Sequence, residues 1–482
     1  MSSPTEGSGF QRSIKLFQAT AINMTQMCGI GPFVTIPLIL TTMGGPQAIL
    51  GWIVGAALAM VDGLVWAELG AAMPGAGGTY IYLREAFQYR TGRLMPFLFA
   101  WTAVLSIPLV MSSGIIGLIQ YLGYLWPGVV NSDGSPNTLG KIIGVALVAL
   151  IVILLYRKIG DVSRVTTVFF VVMLISILAV VIAAYTHFHP SLAFTYPPGA
   201  FHLGNSFFAG LGAGLVIAIY DYLGYNTSAY LGAEIRNPGK TLPRSIIYAI
   251  LGIMVLYLLL QVGVLGAAPW QSTAKSFSAA SYVLQLTWGT VAAKVITVFI
   301  IITAFASVFT GLLGGSRVPF EAARDKLFLP WFGRLHPRLN FPTVGLIVMG
   351  VLTAIASLFP LQAVINMFIA VIVIVQAVAQ IFALTVLRRR QPTLKRPYRQ
   401  WLYPVPSILA LAGWIYVYVS ANNGSTLPPI AQPIELSLFW LAAGIIAYLI
   451  WAAVEKTWPF GPKEIKQAYL DEQNAAGETV AA

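Results

Sequence analysis

The stretch Met27-Cys28-Gly29-Ile30-Gly31-Pro32-Phe33 interrupts an apolar segment that runs from about Ile14 to Leu40. Its two glycines and its proline disfavour a continuous α-helix. Backbone that leaves helical geometry inside hydrocarbon leaves N–H and C=O groups without partners, so such a break must lie inside protein or beside water. The stretch therefore predicts a broken membrane helix whose free backbone groups can hold a ligand.

A second interruption, Tyr220-Asp221-Tyr222-Leu223-Gly224-Tyr225-Asn226, lies within a later segment that runs from Asn205 to Glu234. Paired hydrophobic segments that glycine interrupts in the two halves of a chain indicate the substrate site of a secondary transporter.

The bulk composition predicts an all-α polytopic membrane protein. Hydrophobic residues make up 57% of the 482 residues and charged residues 9%, whereas soluble domains carry roughly 25% charged residues. The apolar runs are long enough for the roughly 20 residues that a spanning helix needs. With a single cysteine, Cys28, and four histidines, we expect no disulfide, no cofactor and no metal cluster. No nucleophile with a base suggests an enzyme, and the short N-terminus resembles no cleavable signal peptide.

The net charge of +12 is explained by its distribution along the chain. Of the 28 lysines and arginines, only Lys141, Lys275 and Lys294 fall on the predicted outer side. An excess of cations in cytoplasmic loops is typical of membrane proteins. We therefore expect a multi-pass protein of the plasma (inner) membrane with both termini in the cytoplasm, and no nucleic-acid partner.

Twelve transmembrane helices are predicted, with breaks in the first and the sixth. Their approximate ranges are Ile14–Leu40, Gln47–Ala72, Leu94–Trp126, Leu139–Tyr156, Val165–Tyr185, Asn205–Glu234, Ile246–Gly266, Val291–Gly315, Val344–Phe359, Leu361–Leu387, Ser407–Ser420 and Leu436–Val454. Breaks at corresponding positions predict two five-helix repeats, and the odd number of helices inverts the second repeat relative to the first. The predicted divisions are an N-terminal tail (1–13), the first repeat (14–186), the second repeat (204–390), a linker with two appended helices (391–455) and a C-terminal tail (456–482).

Four motifs, in order along the chain, carry a family resemblance. They are Gly29-Ile30-Gly31-Pro32-Phe33, then Ala67-Glu68-Leu69-Gly70 with Gly77-Gly78-Thr79-Tyr80, then Glu234-Ile235-Arg236-Asn237-Pro238, and finally the linker that follows Leu387-Arg388-Arg389-Arg390. Together they resemble the amino acid–polyamine–organocation permeases. The resemblance implies an inverted-repeat fold and alternating-access transport of amino acids or related amines.

Within that family, the Gly31–Phe33 motif, Asp62 and the 222–226 stretch look closest to the L-type and polyamine-uptake branches. The sequence departs from the family pattern at two positions. Met173 stands where many proton-coupled members carry a lysine, and Asp221 stands where many members have a small or apolar residue.

The predicted substrate site uses the free backbone groups of both breaks. The half-helix that begins at Pro32 presents N–H groups and the positive end of its dipole, which suits a carboxylate. The carbonyl end of the half-helix that finishes near Tyr222 suits an ammonium group. The alternative is a proline kink in a packed helix. The predicted substrate-binding residues are Thr25, Gln26, Gly29, Ile30, Gly31, Tyr220, Asp221, Leu223, Gly224 and Asn226.

Two carboxyl groups predicted at membrane depth are candidates for proton coupling. An ionisable group there costs at least about 2.5–3.5 kcal/mol on insertion scales, so Asp221 is predicted to be functional. The alternative is a protonated carboxyl that packs against Tyr220 or Asn226. Asp62 has the same two interpretations, with more weight on packing.

The gating candidates are Tyr220, Glu68 and Glu234. The two glutamates lie near the predicted inner face, where helix-end carboxylates often pair with arginine and are structural. Ser307 and Thr310 are candidate sodium ligands, although such hydroxyl groups more often bond to their own helix backbone.

The leading hypothesis is a secondary active transporter that moves amino acids across the plasma membrane by alternating access, through proton-coupled symport or exchange. The alternatives are a polyamine or cationic-amine transporter of the same fold and a non-transporting amino acid sensor. A channel is disfavoured because no repeated filter or ring of charges is present. The expected partners are the small-molecule substrate and the bilayer, with H⁺ as the coupling ion.

Overall fold

The computed structural model describes residues 12–75, 77–156, 162–336, 341–423, 425 and 427–460, with the side chains of 162–169 left out. Across these residues the chain is helical and forms no strand longer than an isolated bridge. The helices are α1 (Leu16–Cys28), α2 (Gly31–Met43), α3 (Ile49–Ala72), α4 (Thr79–Thr91), α5 (Leu94–Leu125), α6 (Thr138–Leu155), α7 (Val162–Thr186), α8 (Pro190–Ala193), α9 (Asn205–Tyr222), α10 (Thr227–Tyr230), α11 (Pro238–Ala267), α12 (Trp270–Lys275), α13 (Ala279–Gly315), α14 (Arg317–Arg324), α15 (Thr343–Ala356), α16 (Leu361–Ile372), α17 (Ala379–Arg390), α18 (Val405–Ser420) and α19 (Pro433–Val454).

The lengths and hydropathies of these helices fit a polytopic membrane protein. In the described ranges, seven helical segments are long and apolar enough to cross a bilayer, and the bent pair α1–α2 makes an eighth. Shorter apolar helices cover Phe170–Thr186, Thr343–Ala356 and Val405–Ser420. In α5 the most apolar window is 83% buried, whereas in α6 and α19 it is 28% and 22% buried. We infer that α5 lies at the centre of the bundle and that α6 and α19 face lipid.

Both predicted interruptions are present. The backbone leaves helical geometry at Gly29 (φ 19, ψ −140), and α2 begins with Gly31 followed by Pro32. The axes of α1 and α2 differ by 48°. In the second interrupted segment, α9 ends at Tyr222, Leu223 is extended, and Gly224 takes a φ of 119°. Such a positive φ is accessible to glycine at little steric cost.

One predicted helix start is wrong. Helix α11 begins at Pro238 rather than at Ile246, since proline is well tolerated at the first helical position, where no intrahelical N–H bond is needed. In α13 the backbone leaves helical geometry at Gly289, whose φ is 85°. The apolar span predicted from Val291 begins directly after this kink, and a short helix from Ala279 precedes it.

A buried aromatic cluster packs behind the two breaks. The Tyr257 ring of α11 lies 5.0 Å from Trp52 of α3 and 5.4 Å from Tyr222 of α9, measured between ring centroids. All three side chains are among the large ones that are fully buried. This cluster fixes α3, α9 and α11 around the ends of the broken helices.

Candidate substrate site

The two breaks meet through the hydroxyl group of Tyr257. It lies 2.9 Å from the carbonyl oxygen of Met27, in the last turn of α1, and 3.1 Å from that of Asp221, in the last turn of α9. Gly224 packs equally closely, because a Cβ atom there would lie 2.9 Å from the backbone of Gln26 and Met27. Two segments separated by most of the first half of the chain therefore lie in contact, and their contact region is the candidate site.

The start of α2 supplies hydrogen-bond donors to this site. Among the residues that the structure describes, the N–H groups of Ile30 and Gly31 have no acceptor, and the next residue, Pro32, has no N–H group. Both residues are buried. Unpaired amides at the positive end of a helix attract an anionic group such as a carboxylate.

Asp221 lies against the first turns of α2. Its Oδ2 atom accepts a hydrogen bond from the Thr35 hydroxyl group. Its Oδ1 atom is buried and has no partner among the described residues. A Cβ atom on Gly31 would overlap this oxygen, so the approach requires glycine at that position. The predicted alternative of packing against Tyr220 or Asn226 is wrong about the partner, because Thr35 holds the carboxyl group. Asp221 is 1% exposed and does not line the open cavity of this structure.

Tyr220 covers one side of the meeting point. Its hydroxyl group lies 2.6 Å from Oγ of Ser113 on α5. Its ring packs edge-on to Phe368 of α16, with the centroids 5.9 Å apart. The aromatic side chain predicted as a gate is therefore held by two helices outside the broken pair.

A small cavity opens on the other side of the first break. It is lined by Thr25, Gln26 and Gly29 of α1, Met173 of α7, and Thr303, Ala306, Ser307 and Thr310 of α13. Its volume is about 30 Å³. That is room for a water molecule or an ion and too little for an amino acid.

The hydroxyl groups in this cavity mostly bond to their own helices. Thr25 donates to the Ala21 carbonyl oxygen at 2.7 Å, and Thr310 donates to that of Ala306 at 2.8 Å. Oγ of Ser307 lies 3.1 Å from where a Cβ atom on Gly29 would stand. The structure therefore brings both candidate sodium ligands to the first break, and sodium binding there stays a prediction.

The residues after the second break are tied to α1 and α3. The Tyr225 hydroxyl group donates to Oδ2 of Asp62 on α3 at 2.5 Å. The Asn23 side chain donates to Oγ of Ser228 at 3.1 Å and accepts from the Ser228 N–H at 2.7 Å. Through this hydrogen bond, the buried Asp62 holds the segment that includes Leu223, Gly224 and Asn226 against α3.

Glu68, at the end of α3, is the centre of a buried ion cluster. Its carboxylate accepts from Nε and Nη2 of Arg388 at 2.8 and 2.5 Å and from the Gln400 N–H at 2.6 Å. Nε of Arg396 lies 3.5 Å away. Burial lowers the pKa of Arg396 from its ordinary value, and the Glu68 carboxylate acts in the opposite direction. The predicted pairing of Glu68 with arginine is present.

The backbone of Glu234 forms a hydrogen bond to the segment that precedes α1. Its carbonyl oxygen accepts from the N–H of Ile14 at 3.1 Å, and the Arg236 N–H donates to the Ile14 carbonyl oxygen at 2.9 Å. These bonds join the start of the described chain to the end of the second interrupted segment. A gating role for Glu68 or Glu234 stays a prediction.

Sequence reasoning missed Tyr257, Thr35, Ser113 and Asn23. Each is a polar side chain in an apolar helix, and this polarity was the one signal in the sequence. It does not identify a contact between helices, because hydroxyl groups in membrane helices commonly bond to the preceding turn of their own helix. Which of them reach across to another helix depends on the packing.

The fold is that of a polytopic membrane protein, and its candidate substrate site lies where the two helix breaks meet. Comparison with protein families matches residues 14–452 to the family described as amino acid permease. The chain belongs to this family, whose members are transporters and not enzymes.

Three curated relatives illustrate the family. The branched-chain amino acid permease BcaP of Lactococcus lactis subsp. cremoris is 24% identical over 84% of this chain and 86% of its own length. The serine/threonine exchanger SteT of Bacillus subtilis is 27% identical over 92% of this chain and 98% of its own. The aspartate-proton symporter of Bacillus subtilis is 27% identical over 56% of this chain and 52% of its own.

Proposed function

We propose that this protein is a secondary active transporter that moves amino acids across a membrane by alternating access. The observation that carries the proposal is the meeting of the two helix breaks at Tyr257, beside the unpaired amides of Ile30 and Gly31. A substrate bound there would contact both broken helices at once. The names of the relatives, two amino acid permeases or exchangers and one amino acid symporter, support amino acids as the substrate class.

The substrate is oriented by the backbone in this proposal. Its carboxylate binds the free amides of Ile30 and Gly31 at the start of α2, and Gly29, whose N–H donates to the Thr25 carbonyl oxygen, lies beside it. Its ammonium group faces the carbonyl end of α9, and its side chain lies toward Tyr220. Thr25, Gln26, Leu223, Gly224 and Asn226 complete the surroundings of the substrate.

The proposed architecture is twelve spans in two inverted repeats, residues 14–186 and 204–390, with the linker and two further helices over 391–455. The corresponding breaks after Cys28 and after Tyr222 support this division. Both termini lie in the cytoplasm and the protein lies in the inner membrane, as the distribution of cations favours. Residues 1–11 and 461–482 of the two predicted tails lie outside the described residues.

The transport cycle requires α1 to move relative to α7 and α13. The cavity between them is about 30 Å³, and Tyr220, Ser113 and Phe368 close the opposite side. Separation of α1 from α13 enlarges the cavity between them and opens the site on that side. Release of Tyr220 from Ser113 opens the site on the opposite side. The site then opens to one side at a time.

Asp221 is the proposed proton carrier, with Asp62 as the second candidate. The substrate carboxylate and the Asp221 carboxyl group both lie at the start of α2, where two negative charges in a buried site repel each other. A proton on Asp221 removes this repulsion, so substrate and proton bind together. Coupling to H⁺ follows without the lysine that Met173 replaces.

Uptake into proteoliposomes tests the proposal. Purified protein in sealed vesicles should accumulate at least one labelled amino acid, more strongly with an inward proton gradient. Asp221→Asn should abolish the response to the gradient, while Asp133→Asn, in an exposed outer segment, should leave it unchanged. Saturable binding with neither uptake nor exchange would identify a sensor and would overturn the transporter proposal.

The unpartnered Oδ1 atom of Asp221 supports a second candidate, the transport of cationic amines. Thermal unfolding of the purified protein with amino acids, putrescine or spermidine separates the two, since a ligand that binds the folded state raises the melting temperature by mass action. Stabilisation by amines alone, and its loss in Asp221→Asn, would favour the amine transporter.

A further inference from the structure

A second cavity, of about 290 Å³, lies away from the two breaks. It is enclosed by the end of α6, the end of α13, the helix α14 and the start of α15. It is much larger than the cavity beside the first break. The substrate site described above uses none of its residues.

One wall of this cavity carries positive charge. Arg317 and Arg324 stand two turns apart on α14, both exposed, with Glu321 between them. The Arg324 guanidinium group lies over the Phe320 ring, 5.7 Å from its centroid, which holds it at the cavity. Within the described chain, neither arginine has a carboxylate within 4.0 Å. Among the described lining residues, two arginines and one glutamate leave one net positive charge.

The other walls are apolar and continue into exposed apolar surface. Leu155, Leu313 and Leu346 line the cavity. Beyond them, Ile153 of α6 is 58% exposed and Val351 of α15 is 54% exposed. An exposed aliphatic surface on a membrane helix is the surface that faces acyl chains.

Aromatic rings mark the level of the cavity in the membrane. The centroid of Phe341, which lines it, lies 4.8 Å from that of Tyr156 and 5.4 Å from that of His336. Of these three side chains, Tyr156 is of the amphipathic kind, tyrosine or tryptophan, that concentrates at the level of the lipid headgroups. The cavity thus joins two arginines, which have no carboxylate partner within the described chain, to an apolar wall that continues into exposed aliphatic surface.

We propose that this cavity binds an anionic phospholipid of the surrounding bilayer. The phosphate lies between Arg317 and Arg324, whose planar guanidinium groups suit paired hydrogen bonds to phosphate oxygens. An acyl chain follows Leu155 and Leu346 toward the exposed faces of α6 and α15. The two arginines of the described lining favour an anionic lipid such as phosphatidylglycerol over a zwitterionic lipid, whose ammonium group they repel.

The test is the affinity of the detergent-purified full chain for phosphatidylglycerol, phosphatidylethanolamine and soluble glycerol 3-phosphate, measured by native mass spectrometry and thermal shift. Wild type should prefer phosphatidylglycerol over phosphatidylethanolamine at least about tenfold. The double variant Arg317→Gln/Arg324→Gln should bind phosphatidylglycerol roughly thirtyfold more weakly, about fivefold for each cation near an anionic lipid. The matched control Lys326→Gln/Arg334→Gln removes two exposed cations outside the lining and should keep the preference.

Glu321→Gln keeps the test informative if the double variant does not fold. It removes the one carboxylate of the described lining and should strengthen phosphatidylglycerol binding about fivefold, a gain that misfolding would not produce. Equal affinities for the two lipids, equal losses in both double variants, or no gain in Glu321→Gln would overturn the proposal. Competition by glycerol 3-phosphate would identify a site for small anions instead of a lipid site.

Discussion

Replacement of Glu68 by glutamine should destabilise the protein by about 3 kcal/mol. The side chain is 1% exposed, and Arg388 and Arg396, which face it, are 21% and 6% exposed. Breaking a buried ion pair on one side costs about 3–5 kcal/mol, since a charge stays buried without its partner. We take the lower end because glutamine keeps one acceptor oxygen and a fifth of Arg388 reaches solvent.

This loss converts into a measurable change in melting temperature. Unfolding entropies near 2.1 cal/mol/K per residue give the whole chain an entropy of about 1 kcal/mol/K, so the expected decrease is about 3 °C. Thermal unfolding of the purified protein in detergent measures it. The control is Glu85→Gln, which breaks the Arg84–Glu85 pair whose side chains are 35% and 27% exposed and should cost at most about 1 kcal/mol.

The refuting result is a melting temperature of Glu68→Gln equal to that of Glu85→Gln. It would mean that the buried cluster of Glu68, Arg388 and Arg396 contributes no more to stability than an ion pair at the surface does. In the double variant Glu68→Gln/Arg388→Met, part of the loss should be recovered, because one uncompensated cation is removed with the carboxylate.

Three further predictions concern the meeting of the two breaks. Tyr257→Phe should lower transport at least about tenfold while the protein still folds, because it removes the one hydroxyl donor that the buried carbonyl oxygens of Met27 and Asp221 share. Uptake by proteoliposomes measures this, and full activity would contradict it. Gly224→Ala should reduce both folded yield and transport, because φ there is 119° and the added Cβ atom would clash with the backbone of α1. Gly199→Ala is the control for backbone strain alone, since φ is also positive there but nothing lies within 4 Å of the added atom. Cys28 is the single cysteine of the chain and is fully buried. Its labelling by a maleimide should therefore be slow, and should accelerate only when substrate makes the first break move. A labelling rate that substrate leaves unchanged would argue against motion at this break.

Much of the fold was predictable because a bilayer constrains a sequence strongly. Apolar runs of about 20 residues identify spanning helices, and the glycines and proline of residues 29–32 identified the first break. An error occurred at the start of α11, where the residues from Pro238 were left outside the predicted span. A proline at the first position of a helix differs from a loop proline only in the geometry of the residues that follow it, which local sequence does not fix.

The site was predictable in part. Gly31 and Asp221 were singled out separately, one for its backbone freedom and the other for its charge. Their contact across the breaks, with Thr35 holding the carboxyl group, was not predicted. Hydrogen bonds between helices depend on how each helix is rotated about its axis, and an apolar helix with few polar residues gives little indication of that rotation.

The sequence by itself determined that this protein is a polytopic helical membrane protein with two interrupted segments and a family likeness to amino acid permeases. Local chemistry accounts for this, because hydropathy decides which segments span the bilayer, and glycine and proline interrupt a helix at their own positions. Only the tertiary structure decided that Tyr257 joins the two breaks, that Asp221 lies against Gly31, and that Arg317 and Arg324 border a cavity at an apolar wall. These arrangements depend on packing between helices distant in sequence, where close contact selects one set of neighbours among many that hydropathy alone would allow.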